Sequence, residues 1–349
     1  MTCVDVAVIG AGPAGAVASR VLALLGYQVV MVDPQLDLPK VGESLPGAAK
    51  PLLHDLGLLP WLERSLPLAC VGNLSAWGQP QLSNRDFIFD PHGPGWHLER
   101  RRFDACLREA AVEAGAYCWN ERLIHLERGL GGWRLELSTQ SVSARWVIEA
   151  SGRTSVVARR LGVQRIRDDP LVAVYAWLDH ASEDQRTLIE SVSTGWWYCA
   201  QLPEGRHVAA LHTAAREAAS VMSRPQEWQD QLRRTRHLQH LSALNPSDRL
   251  RACDASGSRL MQWAGDGWLA VGDAALAFDP LSSQGIFNAI YTGMRGAQAV
   301  ARALQHDDRA VNAYAERLQN VRQAYLQTLR YCYRQETRWA DQGFWRQRQ

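Results

Sequence analysis

The sequence predicts an α/β fold: a parallel sheet wound with helices, an interleaved antiparallel sheet and a helical C-terminal segment. Three observations carry that expectation. Val4-Asp-Val-Ala-Val-Ile9 is a β-branched run followed at once by a glycine-rich turn, a small-residue stretch and a second apolar run. Between about residue 165 and residue 260 apolar and polar side chains alternate, as at Leu171 to Leu178 and Val208 to Leu211, which is the period of a half-buried strand. From Gln284 to about Trp339 the spacing is helical.

Taken in order, Val4 to Ile9 suits a strand buried on both faces. After Gly10-Ala-Gly-Pro13-Ala14-Gly15, the stretch Ala16 to Leu25 reads as a helix closed by Gly26. Gln28 to Val32 is a second strand ending at Asp33, and right-handed crossover makes the two strands parallel neighbours. Pro46 to Leu59 reads as a helix with Leu52, Leu53, Leu56 and Leu59 on one face. Residues 70 to 98 read as short strands and turns. Arg102 to Ala114 is the next helix, with Phe103, Cys106, Leu107 and Ala110 inward and Gly115 as its stop. Leu123 to Leu137 suggests a hairpin around Gly129 to Gly132, and Trp146 to Ala150 a strand. One helix, at about Gln226 to Leu241, interrupts the alternating region. Trp268 to Val271 returns to strand before Gly272-Asp273.

Composition narrows the function classes. With 349 residues, 46% hydrophobic and 21% charged, the chain is globular. A formal net charge of +2 gives no reason to expect nucleic acid as a partner. Seven cysteines stand singly, without a CxxC pair, which fits reduced thiols in a cytoplasmic protein. No apolar stretch reaches bilayer-spanning length, and no membrane partner is expected. His237 and His240 stand three apart on the expected helix without a carboxylate or cysteine in a ligand pattern, so no metal site is expected.

The first chemical motif is Gly10-x-Gly12-x-x-Gly15 between strand and helix. Gly10 permits the tight turn, Gly12 lets backbone approach a pyrophosphate, and Gly15 lets helix and strand pack closely. Pro13 and Ala14 lie at the helix N-terminus, which offers free N–H groups and a partial positive charge to phosphates. Asp33 is placed for the adenosine ribose hydroxyls. This Rossmann-type arrangement establishes a dinucleotide without separating FAD from NAD.

The second motif runs from Gly265 to Asn288. A buried strand delivers Gly272 and Asp273 at its end, where a carboxylate accepts hydrogen bonds from polyol hydroxyls. Pro280 shapes a rigid loop, and Gly285-Ile286 opens a helix whose N–H groups point back at the ligand. Here the sequence resembles the class A flavin monooxygenase and flavin-dependent halogenase superfamily. The resemblance implies a glutathione-reductase-like FAD-binding fold, with FAD as cofactor. Three further segments resemble family motifs. Val41-Gly42-Glu43-Ser44 looks like the loop beside the flavin. Arg100 with Phe103 and Asp104 resembles the Arg-x-x-Phe-Asp motif near the cofactor. Glu149-Ala-Ser151-Gly152-Arg153 resembles the strand end under the adenine. The implied organisation is a discontinuous FAD-binding domain (1–69, 99–164 and 254–300), a substrate domain (70–98 and 165–253) and a C-terminal helical segment (301–349).

Thr187 to Glu190, Gly195-Trp-Trp-Tyr198 and Leu202-Pro203 look like the central sheet of halogenase-like monooxygenases, and the tail from Tyr331 to Trp339 with Phe344-Trp345 resembles the compact LodB-like flavoproteins that accompany tryptophylquinone enzymes. A halogenase of this superfamily needs a lysine between flavin and substrate. The corresponding stretch Ala69 to Trp77 has none, and Lys50 follows Glu43 by only seven residues. The resemblance therefore implies hydroxylation of an electron-rich aromatic ring through a flavin C4a-hydroperoxide. O2 is the co-substrate, and NAD(P)H or a separate flavin reductase is the electron donor. The aromatic substrate is a small molecule or a tryptophan of a partner polypeptide. A halogenase of secondary metabolism and a non-turnover assembly factor remain alternatives. Candidates on the substrate side are Glu43, Trp196, Trp197, His97 and His212, with Tyr198 beside them. Sheet packing accounts equally for the aromatics, and only one of Trp196 and Trp197 can face a given side of its strand.

Overall fold

A computed structural model of the chain describes residues 2–35, 39–179, 182–244, 246, 248–307 and 309–349. Strand Thr2–Ile9 lies at the middle of an eight-stranded sheet, paired in parallel with Ser141–Glu149 on one side and Val29–Asp33 on the other. Trp268–Ala270 and Tyr117–Asn120 extend the parallel order outward. The hairpin Leu123–Gly129 and Gly132–Leu137 joins by antiparallel pairing to Ser141–Glu149. The central strands are apolar because helices cover both faces. Val6, Ala7, Val8, Val29, Val30 and Met31 are all fully buried. Helix Pro13–Leu24 packs along helix Gly285–Leu304, and helix Arg100–Glu113 packs on its other side. That second helix starts two residues before the expected Arg102, because the Glu99 side chain accepts hydrogen bonds from the N–H groups of Arg101 and Arg102.

The second large sheet has seven strands, in the order 251–254, 171–179, 206–214, 195–202, 187–192, 72–76 and 83–86. Its pairing departs from the wholly antiparallel expectation at one place. Thr187–Val192 runs parallel to Gly72–Ala76, because the latter strand arrives from a distant segment and not from a hairpin. A small three-stranded sheet links Ser44–Leu45, Gly95–His97 and Leu68–Cys70, so the loop after residue 40 is anchored to the segment that precedes helix Arg100–Glu113.

Two helical expectations change. The stretch 46–59 is two helices, Ala49–Asp55 and Leu59–Arg64, separated at Gly57, which adopts φ +63°. The single helix expected at 226–241 is instead Ala215–Ser223 and Pro225–Arg233, followed by a 3-10 turn Gln239–Ala243. Pro225 starts a new helix because it has no N–H to continue the old one. His237 therefore lies outside any helix, and its Nε2 contacts Pro80 O at 2.9 Å. The C-terminus carries helices Gly285–Leu304 and Arg309–Arg334, then a tail whose Phe344 and Trp345 are buried against Trp196 and Tyr333. Among the described residues no helix is long and apolar enough to cross a membrane.

Candidate functional site

One cavity of about 1130 Å³ lies between the two large sheets. Its first wall consists of strand ends and helix starts. Gly10 holds φ +107° with its Cα against Ala150, where an added Cβ would stand 2.4 Å from Ala150 O. Gly12, by contrast, has nothing within 4 Å of an added Cβ, so the backbone there faces open cavity. No side chain caps helix Pro13–Leu24 or helix Gly285–Leu304. Both N-termini border the cavity and leave backbone N–H groups for an anionic or carbonyl-bearing ligand.

Asp33 closes this wall. Its Oδ2 accepts from Ala11 N at 2.8 Å and its Oδ1 from Gln35 N at 2.7 Å, which fixes the carboxylate while leaving lone pairs for a polyol. Glu149, fully buried, is not at the surface of the cavity. It accepts from Ser151 N at 2.8 Å and from the N–H groups of Val157 and Ala158, so it shapes the turn Ser151–Thr154 that does line it. Asp273 lies across the cavity, paired through Oδ2 with Arg153 Nε at 3.3 Å.

Of the residues expected to hold the cofactor, Gly10, Gly12, Pro13, Ala14, Asp33, Glu43, Ser44 and Arg100 line this cavity. So do Ser151, Gly152, Asp273, Pro280, Gly285 and Ile286. Gly15 and Gly272 do not. Gly15 packs on the carbonyl of Gly10, and Gly272 N donates to Thr292 Oγ1 at 2.8 Å beneath the wall. Arg100 reaches the cavity with its fork already engaged. Nη1 donates to Val41 O at 3.1 Å and Gly42 O at 3.0 Å, and Nε to Asp104 Oδ1 at 3.1 Å. Asp104 also receives Lys40 Nζ at 2.8 Å. Although burial pushes Asp104 upward, Arg100 and Lys40 hold its carboxyl below the usual range. Arg100 thus acts as a clamp that pins the loop carrying Glu43.

Glu43 sits at the junction of the two walls, 3% exposed. Its Oε1 has no hydrogen-bond partner among the described residues. Burial lifts its carboxyl to about 7, against backbone hydrogen bonds and the nearby Arg100, which pull it down. Beside it, Ser44 Oγ lies 3.3 Å from Tyr198 OH.

The second wall is a strand face. Ala173, Tyr198, Val208, Ala210, His212 and Cys253 project into the cavity from four neighbouring strands. His212 is buried and held at about 3, because burial disfavours its charged form, so it is a neutral imidazole. Trp196 does not line the cavity. It stacks behind His212 with ring centroids 3.7 Å apart and planes 6° apart, and its Nε1 donates to Tyr333 OH at 3.2 Å. Tyr333 OH in turn donates to Asp279 Oδ2 at 2.8 Å, and Asp279, pushed by burial to about 6, does line the cavity. Trp197 points to the other face of the sheet, among Trp228, Leu232 and Leu241. His97 is likewise outside the cavity, fully buried with Nε2 2.9 Å from Thr187 Oγ1. Of the five catalytic candidates, the structure brings only Glu43 and His212 to the cavity. Lys40, Asp104, Arg153 and the small residues Ala173, Val208, Ala210 and Cys253 were not anticipated there. Asp104 and Arg153 stood within motifs already read, whereas the small residues carry no sequence signal.

Comparison with known proteins agrees with this geometry. The model of the FAD binding domain family matches residues 3–39 and 102–328. LodB of Marinomonas mediterranea, named as an FAD-dependent oxidoreductase, is 30% identical over the full chain and 97% of its own length. The peptidyl tryptophan dihydroxylase QhpG, described as essential for tryptophylquinone cofactor biogenesis, superposes with a TM-score of 0.79 at 26% identity. The match covers 99% of this chain and 78% of QhpG. The flavin-dependent halogenase CmlS shares the fold, with a TM-score of 0.88 at 24% identity, over 100% of this chain and 68% of its own. The chain belongs to the FAD binding domain family, and it is an FAD-dependent oxidoreductase.

Proposed function

We propose that the chain is an FAD-dependent monooxygenase that hydroxylates an electron-rich aromatic ring, with a tryptophan of a partner polypeptide as its substrate. The observation that carries this reading is the shared cavity. The residues suited to a dinucleotide and the face of the seven-stranded sheet border one space, with Glu43 where they meet. The likeness to QhpG, a peptidyl tryptophan dihydroxylase, supports the tryptophan substrate.

In this reading the N-termini of helices Pro13–Leu24 and Gly285–Leu304 hold the FAD, the first at the pyrophosphate and the second at the isoalloxazine. Asp33 and Asp273 bind its ribose and ribityl hydroxyls, and Arg100 fixes the loop beside it. Bound FAD supplies oxygen activation after reduction by NAD(P)H or a separate flavin reductase. The protein's part is to orient the ring against Tyr198 and His212 and to exclude water. Glu43 Oε1 takes up the proton that the ring loses. The dinucleotide segments 1–69, 99–164 and 254–300 and the substrate segments 70–98 and 165–253 divide these tasks between them.

A halogenase is disfavoured by a specific observation. The chain has two lysines. Lys40 is tied to Asp104 and Lys50 to His92 O, so neither offers a free ammonium between the walls.

The test is a visible spectrum of the purified protein, then anaerobic reduction and return of oxygen with a tryptophan-bearing peptide. The expected result is a bound flavin and a product carrying added oxygen by mass spectrometry. Incorporation of halide instead of oxygen, or turnover of free indoles with none of the peptide, would sink the proposal.

A further inference from the structure

The hydroxyl of Tyr333 reaches both walls of the main cavity from behind, while Tyr333 itself lines neither. The residue is buried in the last turn of helix Arg309–Arg334, outside the glycine turn and outside the Gly265 to Asn288 segment. Toward the strand-face wall its oxygen accepts from Trp196 Nε1 at 3.2 Å, and the Trp196 ring stacks on His212. Toward the other wall it lies 2.8 Å from Asp279 Oδ2. Asp279 lines the cavity and opens the turn Pro280–Ser282, which leads into helix Gly285–Leu304.

The direction of each proton follows from what the groups can donate. An indole N–H only donates, so the Tyr333 oxygen accepts from Trp196 and its single proton goes to Asp279. Asp279 Oδ1 accepts from Leu281 N at 2.8 Å, so each carboxylate oxygen faces a donor. The backbone N–H of Asp279 donates to Tyr325 OH at 2.8 Å, and Phe278 stacks on that ring with centroids 4.2 Å apart. Burial favours a neutral Asp279, whereas the donors Leu281 N and Tyr333 OH favour the anion. Among the described residues, the other titratable and charged groups around it are Tyr325, Cys332, Arg153 and the ion pairs Arg348–Asp169 and Arg322–Asp168. Each of those aspartates is offset by its arginine. Arg153 is engaged by Asp273 and by the carbonyls of Ser256 and Phe278.

We infer that Tyr333 is a positioning residue of the flavin site, which aims its one proton at Asp279 and so holds the anionic form of that residue against the cofactor cavity. Trp196 sets the direction by occupying the acceptor side of the hydroxyl. The same hydroxyl ties the Trp196–His212 stack to the turn before helix Gly285–Leu304, so the two walls share one support. A charge fixed in the wall is one of the means by which a protein tunes a bound flavin. The inference rests on the placement of FAD in this cavity proposed above, and it is independent of the substrate.

The experiment is a pH titration of the visible absorption of oxidised FAD bound to the full chain, compared among variants. Glu43 titrates in the same cavity, so the step that belongs to Asp279 is the one that Asp279→Asn removes. Tyr333→Phe keeps the ring and removes the donor, and should move that step to higher pH by about one unit, a tenfold gain in proton affinity. Combining Tyr333→Phe with Asp279→Asn should reproduce the titration of Asp279→Asn alone. Tyr314→Phe is the structural control. Tyr314 is a buried tyrosine of the same helix whose hydroxyl donates to Ala270 O at 2.8 Å, and neither residue lines the cavity. This variant should leave the step where it is. A step unmoved by Tyr333→Phe, moved equally by Tyr314→Phe, or the same in the parent and Asp279→Asn overturns the inference. Full FAD retention by Asp273→Ala would show that the flavin lies elsewhere, and overturns the placement together with the inference. Peptide hydroxylation is not read in these spectra, so its failure bears on the proposed reaction and not on Tyr333.

Discussion

The eight-stranded sheet meets the main cavity with strand ends and helix N-termini, whereas the seven-stranded sheet meets it with a strand face. The first wall is made of backbone: N–H groups at Gly12 and Gly285, and carboxylates whose orientation is fixed by backbone donors, as at Asp33. The second is made of side chains, small at Ala173 and Ala210, aromatic or heteroaromatic at Tyr198 and His212. A wall of backbone needs a few particular residues at fixed spacing, because only they let the chain turn there. A wall of side chains can be changed residue by residue while the pairing of strands stays as it is. The first arrangement suits a cofactor common to many enzymes, and the second suits a substrate peculiar to one.

This contrast can be broken most severely within the glycine turn itself. Gly10→Val places a side chain 2.4 Å from Ala150 O at φ +107°, and should cost about 3 kcal/mol or more. Gly12→Val meets nothing in the protein, and should leave the flavin-free unfolding free energy in urea within about 1 kcal/mol of that of the parent stripped of flavin. It should nevertheless yield protein with little flavin by its visible spectrum. A stable, fully flavinylated Gly10→Val would contradict the account of this wall.

The other wall predicts the reverse separation between layers. Trp196→Ala removes a buried ring stacked on His212 and the donor to Tyr333, and should lower stability by about 3–5 kcal/mol. Tyr198→Phe removes only a hydroxyl 3.3 Å from Ser44 Oγ. Its stability should change by less than about 1 kcal/mol, while its ratio of product to flavin oxidation falls. Equal destabilisation by both would mean that Tyr198 is core and not wall.

Removing the Asp273 carboxylate sharpens the assignment of the first wall. Asp273→Ala should give protein with about a tenth or less of the parent's flavin content, since two charge-assisted hydrogen bonds are worth a few kcal/mol. Its melting temperature without flavin should match that of the parent stripped of flavin. Full FAD occupancy in this variant is the outcome that would falsify the role.

Glu43, where the walls meet, gives the most specific effect. Burial lifts its carboxyl from the ordinary 4.5 to about 7, so between these values the folded chain holds a proton that the unfolded chain releases. That contribution is complete below pH 4.5 and is lost as pH rises through about 7. Glu43→Gln cannot lose the proton. In flavin-free protein it should be neutral near pH 4 and stabilising near pH 8, by on the order of 1–3 kcal/mol in urea denaturation. A stability difference independent of pH would show that Glu43 is not a buried, proton-holding group.

Legibility differed between the walls for the same physical reason. Fourteen of the sixteen residues expected near the cofactor line the cavity, and the two that do not, Gly15 and Gly272, support the wall from behind. Backbone walls announce themselves, because glycine, proline and aspartate recur where a turn demands them. The substrate side was read less well. Alternation along Gly195–Leu202 placed Trp196 and Trp197 on opposite faces, and correctly so. It could not tell that helices and the C-terminal tail cover both of those rings, leaving Tyr198 and His212 to face the cavity.

The sequence by itself determined the parallel sheet, the glycine turn, the carboxylates at the strand ends and hence the dinucleotide. Each of these depends on contacts within one strand–turn–helix unit, whose geometry local residue types dictate. Only the tertiary structure decided that Arg100 clamps the loop of Glu43 and that Lys40 is tied to Asp104. It alone placed the Thr187–Val192 strand beside Gly72–Ala76. Those outcomes join segments tens to more than a hundred residues apart, and burial, which sets the proton affinity of Glu43, exists only once all of them have closed around it.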